Sequence, residues 1–437
     1  MKRLNRIFIG IVCLVLLTIS WAIAISAKSV SSKQLELITQ ADALITDGIF
    51  IRAVPLLEEA AGYEANHTLT AETMLKNTYL ALRDTSGFRR KYIDLLNKQM
   101  SRKDAQPDVF TEMAEYYLSV SKLAEALTVL KAGIEKTGAE QLTDLYESVR
   151  YAYRFNRTLY DYVAAISGTA VQVMRDGLWG IALADGTAMI PCEYNKISTF
   201  SNDRCIAKKD DEVFAIDSNN NRIAKLSEGA DDFGNLAEDR IPLMHDGVWR
   251  RASGEFIVGN TVFDQLGMYS NGGVAAKSNG KWGVIDFSTQ WLIAAEYDEI
   301  ILDELGRCYA RNAVFAAIGD DIWLVSVAGR IAGPFNDARP FSEEGYAAVK
   351  MGDKWGFIDV DGVLMIDFVF DDALSFGQHL AAIKTGEYWG YISLNGQPVI
   401  KPIFLEAKSF SCGSAPVLTE RGWQFITLIE YMKGASI

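Results

Sequence analysis

Histidine is scarce in this chain: His67, His245 and His379 are the whole supply. They fall in separate stretches, and no H-E-x-x-H or related spacing joins them, so a histidine-based metal site is not expected. Cysteine is nearly as sparse. Cys13, Cys192, Cys205, Cys308 and Cys412 never form a C-x-x-C pair, which excludes the common zinc and redox motifs. The four after Cys13 fit small buried thiols in β-strands. Positive charge is also short, with 43 Lys and Arg against 56 Asp and Glu and a formal net charge of −13. A phosphate-backbone partner needs clustered cations, so nucleic acid is excluded as a ligand. No G-x-S-x-G elbow, P-loop or G-x-G-x-x-G fingerprint occurs. Asp359-Val360-Asp361-Gly362 opens like a calcium loop but lacks the distant acid an EF-hand requires, and reads as a hairpin turn. Asp210-Asp211, Asp231-Asp232 and Asp371-Asp372 read as solvated loop charge rather than cation sites. No catalytic, cofactor-binding or metal residue is expected, and the chain is not expected to be an enzyme.

Long apolar runs are absent except at the start. Lys2, Arg3 and Arg6 precede an uncharged run from Ile7 to Ala27. About twenty apolar residues cross a hydrocarbon core roughly 30 Å thick. Residues 1–28 are therefore expected to form a basic cytoplasmic end and a transmembrane helix, with everything after Lys28 outside. The expected location is the cell membrane, single-pass, or secreted if the segment is cleaved after Ile25-Ser26-Ala27. The composition of the whole chain, 49% hydrophobic and 11% aromatic, is that of folded domains.

Residues 31–165 carry helical periodicity. Leu35, Ile38, Ala41, Leu44 and Ile45 recur at three- and four-residue steps, as one buried helix face requires. After Gly48 the pattern resumes with Val54, Leu57 and Ala60. Further helices are expected over Ala71–Leu82, Phe88–Met100, Pro107–Ser119, Leu123–Thr137 and Gln141–Tyr153, with Pro107 as an opener. In the unit 107–138, Met113, Ala114 and Tyr117 precede Ala126, Leu130 and Gly133 in an order that resembles tetratricopeptide-like repeats. That resemblance implies an all-α solenoid that docks proteins or peptides.

Beyond residue 168 the texture changes to short alternating strands, frequent Gly and a recurring aromatic. Trp179, Phe214, Trp249, Trp282, Trp323, Trp355, Trp389 and Trp423 stand 35, 35, 33, 41, 32, 34 and 34 residues apart. Such a period marks stacked units that cannot bury a face alone. Each unit has a short strand, a turn such as Asp176-Gly177, Asn279-Gly280 or Gly352-Asp353, and the aromatic at the start of the next strand. A second turn, such as Asp361-Gly362 or Asn395-Gly396, leads to a third strand, a further aromatic and a Phe-Ser-type turn. Trp-Gly itself appears at Trp179, Trp282, Trp355 and Trp389. These units resemble WG repeats, also called KWG repeats, which occur in many bacterial surface and envelope-associated proteins. The resemblance spans 169–430, leaving a tail at 431–437. It implies an all-β array, either propeller-like or an open β-spiral, with a binding role and no common activity.

The expected architecture is thus multidomain: a transmembrane helix, a tetratricopeptide-like solenoid and a WG-repeat array. The expected function is extracytoplasmic binding or scaffolding of envelope or surface proteins, without a cofactor. A glycan-binding module is the alternative, if the repeat aromatics form an exposed stacking platform. An envelope hydrolase is a further rival, and needs two carboxylates converging in a pocket, roughly 5–10 Å apart for glycosidic chemistry.

Overall fold

A computed structural model describes residues 28–225 and 230–432. The chain divides into two compact units, Met1–Ser148 and Val149–Ile437. Each has its own core.

Among the described residues the first unit holds seven helices. They are α1 (28–46), α2 (Phe50–Gly62), α3 (Thr68–Ala81), α4 (Phe88–Met100), α5 (Pro107–Ser119), α6 (Leu123–Thr137) and α7 (Glu140–Val149). Pro107 opens α5, where its missing N–H costs least, and Gly138 ends α6 in the left-handed region at φ 65°. The predicted apolar stripes form the core: Ala41, Ala53, Leu57, Leu75, Leu96 and Met113 are all buried. Gly133 marks the tightest approach, since a Cβ there would lie 2.8 Å from both Phe110 and Leu142.

Two expectations are corrected here. The apolar run at 7–27 lies outside the described residues, and among those described no helix is long and apolar enough to cross a membrane. Helices such as α4 and α6 bury one apolar stripe and keep charged residues opposite, as helices of a globular unit do. The expected transmembrane helix, and the single-pass membrane location built on it, are withdrawn. The solenoid is replaced by a seven-helix unit. Its helices do not repeat as equal pairs: α2 packs chiefly on α3 and α5 on α6, while α4 touches its neighbours less and α7 has no following helix in the unit. The predicted last helix also stops early, at Val149 instead of Tyr153.

A buried charge cluster gives this unit a pH response. The Glu72 side chain is 1% exposed and accepts from Arg102 at 2.5 Å, with Lys98 at 3.5 Å. Burial alone would raise its pKa, but the hydrogen bond and charge of Arg102, the Gln99 amide and Lys98 outweigh it and hold the carboxyl below its ordinary value. A depressed folded-state pKa stabilises above the unfolded value, near 4.3, and that contribution fades as pH falls through the folded pKa. Glu72→Gln is therefore expected to lower the melting temperature at pH 7, by about 1 kcal/mol of stability, and to flatten its decline below about pH 4.5. Thermal melts from pH 3 to 7 on both proteins check this.

The second unit is built from eight four-stranded antiparallel sheets. Each blade but the last takes its strands in chain order, starting from a two-residue strand. Blades one to four span 162–194, 196–225, 232–263 and 265–297; blades five to seven span 299–335, 337–370 and 372–404. The second and third strands join through two-residue turns, as at Arg175–Leu178 and Ser278–Lys281. In Asp176-Gly177 and Asn279-Gly280 both residues have positive φ, the geometry that Asn or Asp followed by Gly accepts most easily.

The eighth blade closes the ring. Its first three strands lie at 406–428, and its fourth is Tyr153–Phe155, from before blade one. Tyr153 pairs with Leu428, Arg154 with Thr427 and Phe155 with Ile426. Trp423 and Phe425 of blade eight share a buried cluster with Val163 and Val171 of blade one. Of the two expected forms, propeller and open spiral, the chain adopts the closed propeller.

Candidate interaction site

The eight recurring aromatics all open the third strand of their blades. Phe214, Trp282, Trp355, Trp389 and Trp423 are buried, and Trp179, Trp249 and Trp323 are half-buried. Trp389 packs in one cluster with Phe404, Ala407 and Val417, joining blade seven to blade eight. Their rings fill the spaces between blades, so they offer no exposed stacking platform of the kind the glycan alternative required.

The glycine after Trp has a separate cause. In blade four Trp282 pairs with Tyr297 but Val284 pairs with Ile293, so the outer strand carries two extra residues opposite Gly283. This bulge presses the outer backbone inward. A Cβ on Gly283 would lie 2.5 Å from the Ile293 carbonyl oxygen. Gly180, Gly356 and Gly390 face the same bulge, with distances of 2.5, 2.7 and 2.5 Å to the carbonyls of Ile190, Ile366 and Ile400. Where the glycine is missing the bulge has moved. Ala215 pairs directly with Ala224, and Arg250 with Val262. In blade five the permissive residue has crossed to the outer strand as Gly333, whose Cβ would meet the Ile322 carbonyl at 2.8 Å.

A second recurring device was not visible as a motif. The residue just before each blade's first strand lends a side-chain oxygen to the backbone N–H of that blade's hairpin turn. Asp161, Asn195, Asp231, Asp264, Asp298, Asn336 and Asp371 do this at 2.6–2.9 Å. Blade eight has Leu405 there and lacks the clasp. Two of the three acidic pairs of the sequence find partners in this scheme, and the third, Asp210-Asp211, is itself a clasped turn. Asp231 and Asp371 are clasps, while Asp232 meets Lys196 at 2.6 Å and Asp372 meets Arg339 at 3.6 Å, each from the preceding blade. Hydrogen bonds from Lys281 and Lys354, then from the turn N–H groups, hold Asp298 and Asp371 below the usual carboxylate range. Asp359 accepts the N–H groups of Asp361 and Val363 at 3.0 and 2.8 Å, an Asx turn and not a calcium loop.

Among the described residues, Asp231, His245 and Asp246 alone have metal-ligand spacing, with ligand atoms within 4.8 Å of one another. Asp231 already accepts the Asp246 N–H at 2.9 Å, and His245 Nε2 stands 3.4 Å from the Asp246 carboxylate. His67 and His379 lie elsewhere. Among the described residues the cysteines do not cluster. Burial pushes the Cys205 and Cys308 thiols well up, Cys192 is half-buried, and Cys412 is exposed. Protonated buried thiols are poor nucleophiles. Brief alkylation of the native protein is therefore expected to modify Cys412 first and leave Cys205 and Cys308 unmodified, as read by peptide mass mapping.

A shallow cavity of about 300 Å³ lies on blade two, lined by Glu212, Phe214, Arg222 and Ile223. Its one carboxylate is paired to Arg222 at 2.8 Å, so the convergent acids of the hydrolase rival are not found at this cavity.

The centre of the ring has a distinct feature. Six blades use six residues between their first and second strands and blade six uses eight, whereas blade five uses twelve, from Ile301 to Asn312. The extra residues, 302–307, fold into a turn tied by Asp303, which accepts the N–H groups of Leu305 and Arg307 at 3.0 and 2.8 Å and pairs with the Arg307 guanidinium at 2.6 Å. This turn enters the ring axis. Leu305 is buried with Ala164 of blade one and Met268 of blade four. Its carbonyl accepts from Asn235 of blade three at 2.9 Å, and the Gly306 carbonyl accepts the Met268 N–H at 2.7 Å. Glu304 accepts from Tyr162 of blade one and from Lys408 of blade eight at 2.7 Å. The 41-residue interval before Trp323 was the sequence signal for this insertion, but spacing does not say which way an insertion points.

These contacts define the class by fold alone: an eight-bladed β-propeller with a filled axis and with its repeat aromatics committed to blade packing. The family described as "WG containing repeat" matches residues 171–212, 334–355, 355–389 and 389–423, so these stretches are similar to WG repeats. The matched stretches include three of the four Trp-Gly blades. No curated protein matches the chain. Solved structures similar to it include KlHsv2 with its loop 6CD replaced by a Gly-Ser linker (12% identity, 61% of this chain and 97% of that one, TM-score 0.35). Two others are the Cps50 (Swd1) beta-propeller domain of Myceliophteria thermophila (10%, 63% and 98%, 0.31) and the Pan2 WD40 domain of Neurospora crassa (8%, 61% and 88%, 0.33).

Proposed function

We propose that the protein is a non-catalytic scaffold that binds protein partners on the hairpin face of its propeller. One observation carries this reading: the repeat aromatics are used up between blades, while the eight hairpin tips remain free to present a surface. Those tips include Asp176, Asp211, Asp246, Asp320, Asp353 and Glu387, all exposed. The ring topology supports placing them together, because the second-to-third-strand turn of every blade lies at the same end of the sheet. A partner with a basic surface suits this face, and charge complementarity of this sort speeds encounter more than it deepens affinity. The axis is filled, so recognition falls to the surface and not to a cavity.

The test uses the full chain on a sensor surface against candidate partners captured by cross-linking. Binding should weaken as salt is raised and fall further when Asp320 and Asp353 are changed to Lys. A turnover activity in the pure protein, abolished by changing a single carboxylate, would sink the proposal.

A further inference from the structure

We propose that the insertion at 302–307 is a latch on the ring's closing seam. Blades succeed one another in chain order, so blade five stands opposite blade one, and the turn it sends through the axis lands on both sides of the seam. Glu304 binds Tyr162 of blade one and Lys408 of blade eight at once. The Lys408 ammonium also lies 5.5 Å from the Tyr162 ring centre and 5.4 Å from that of Trp423, so the three seam residues are gathered around one carboxylate.

Blade eight lacks two devices that the other blades share. Blade eight is the blade without a side-chain clasp, with Leu405 where seven others have Asp or Asn. Its outer strand is three residues long, against four to seven in the other blades. The Glu304 ion pair sits on partly covered side chains, 29% exposed for Glu304 and 16% for Lys408, where charge is screened less than at an open surface. An insertion serving only its own blade would have no reason to place its acid there. Release of this carboxylate, by substitution or by a competing ligand for Lys408, frees the seam while the other blade interfaces keep their packing.

Hydrogen exchange on the full-length protein decides the matter. Glu304→Ala is expected to speed exchange about tenfold at 160–164 and 405–418, and to leave 347–358 in blade six unchanged. Lys408→Met should reproduce that pattern, and the double variant should exchange no faster than either single one. If Glu304→Ala does not fold, Glu304→Gln, which keeps the shape and drops the charge, is read the same way. Acceleration confined to 299–318, or none at the seam, overturns the latch.

Discussion

Replacing Gly390 by alanine is expected to cost the propeller about 3 kcal/mol and lower its melting temperature by about 6–12 °C. One methyl group produces this because of where it would point. The added Cβ would stand 2.5 Å from the Ile400 carbonyl oxygen and 2.6 Å from the Pro402 nitrogen, both backbone atoms of the bulged outer strand. Backbone cannot swing aside as a side chain does, so the bulge must reopen or the strand must leave its register. Either response shifts Ile400 and Phe404, which pack in the cluster joining blades seven and eight. The control is Ala215→Gly in blade two, where the residue after the aromatic already carries a Cβ and pairs without the bulge. That change should cost about 1 kcal/mol, the ordinary penalty of glycine in a strand. Differential scanning calorimetry of both variants checks the pair. Equal costs would mean the Trp-Gly glycine has no steric role.

The second large effect concerns ring closure. Changing Tyr153→Gly, Arg154→Ser and Phe155→Gly together in the full chain is expected to cost about 4 kcal/mol and to promote dimers. The loss includes three paired strand residues and two aromatic contacts to Phe404, at 6.2 and 6.3 Å between ring centres. It also leaves the strand Gly422–Leu428 with a free edge, which a second molecule can pair. Light scattering and calorimetry report the two consequences separately. A variant that stays monomeric and melts as the parent does would show that the ring closes without its borrowed strand.

These effects mark the boundary of what residue order reveals. Periodic features were legible: the eight aromatics became eight blades, and the Asp-Gly and Asn-Gly dipeptides became the two-residue turns expected of them. Helices with clear breakers were legible too, with Phe88–Met100, Pro107–Ser119 and Leu123–Thr137 found as anticipated. Features that depend on meeting a distant partner were not. Tyr153, read as the end of the last helix, instead opens the strand Tyr153–Phe155 because Leu428 offers it an edge. The clasping Asp and Asn residues look like loop charge until their own hairpin turns, about fifteen residues on, are brought beside them. Glu304 could not be singled out, since its partners lie 142 and 104 residues away. The membrane and solenoid expectations failed differently. One rested on hydropathy in a stretch outside the described residues, and the other on a helical spacing that ordinary helix packing also satisfies.

Tyr153 emerges from the ribosome far ahead of its mate Leu428, with seven complete blades to be made in between. Bringing ends so widely separated together is slow, since the entropy of the intervening chain must be overcome before the contact returns anything. Blades can stack in order as they appear, but the nascent molecule stays an incomplete arc until its last strands arrive. Translation arrested shortly before the final blade would therefore leave a C-shaped intermediate with both ends sticky, a natural client for chaperones.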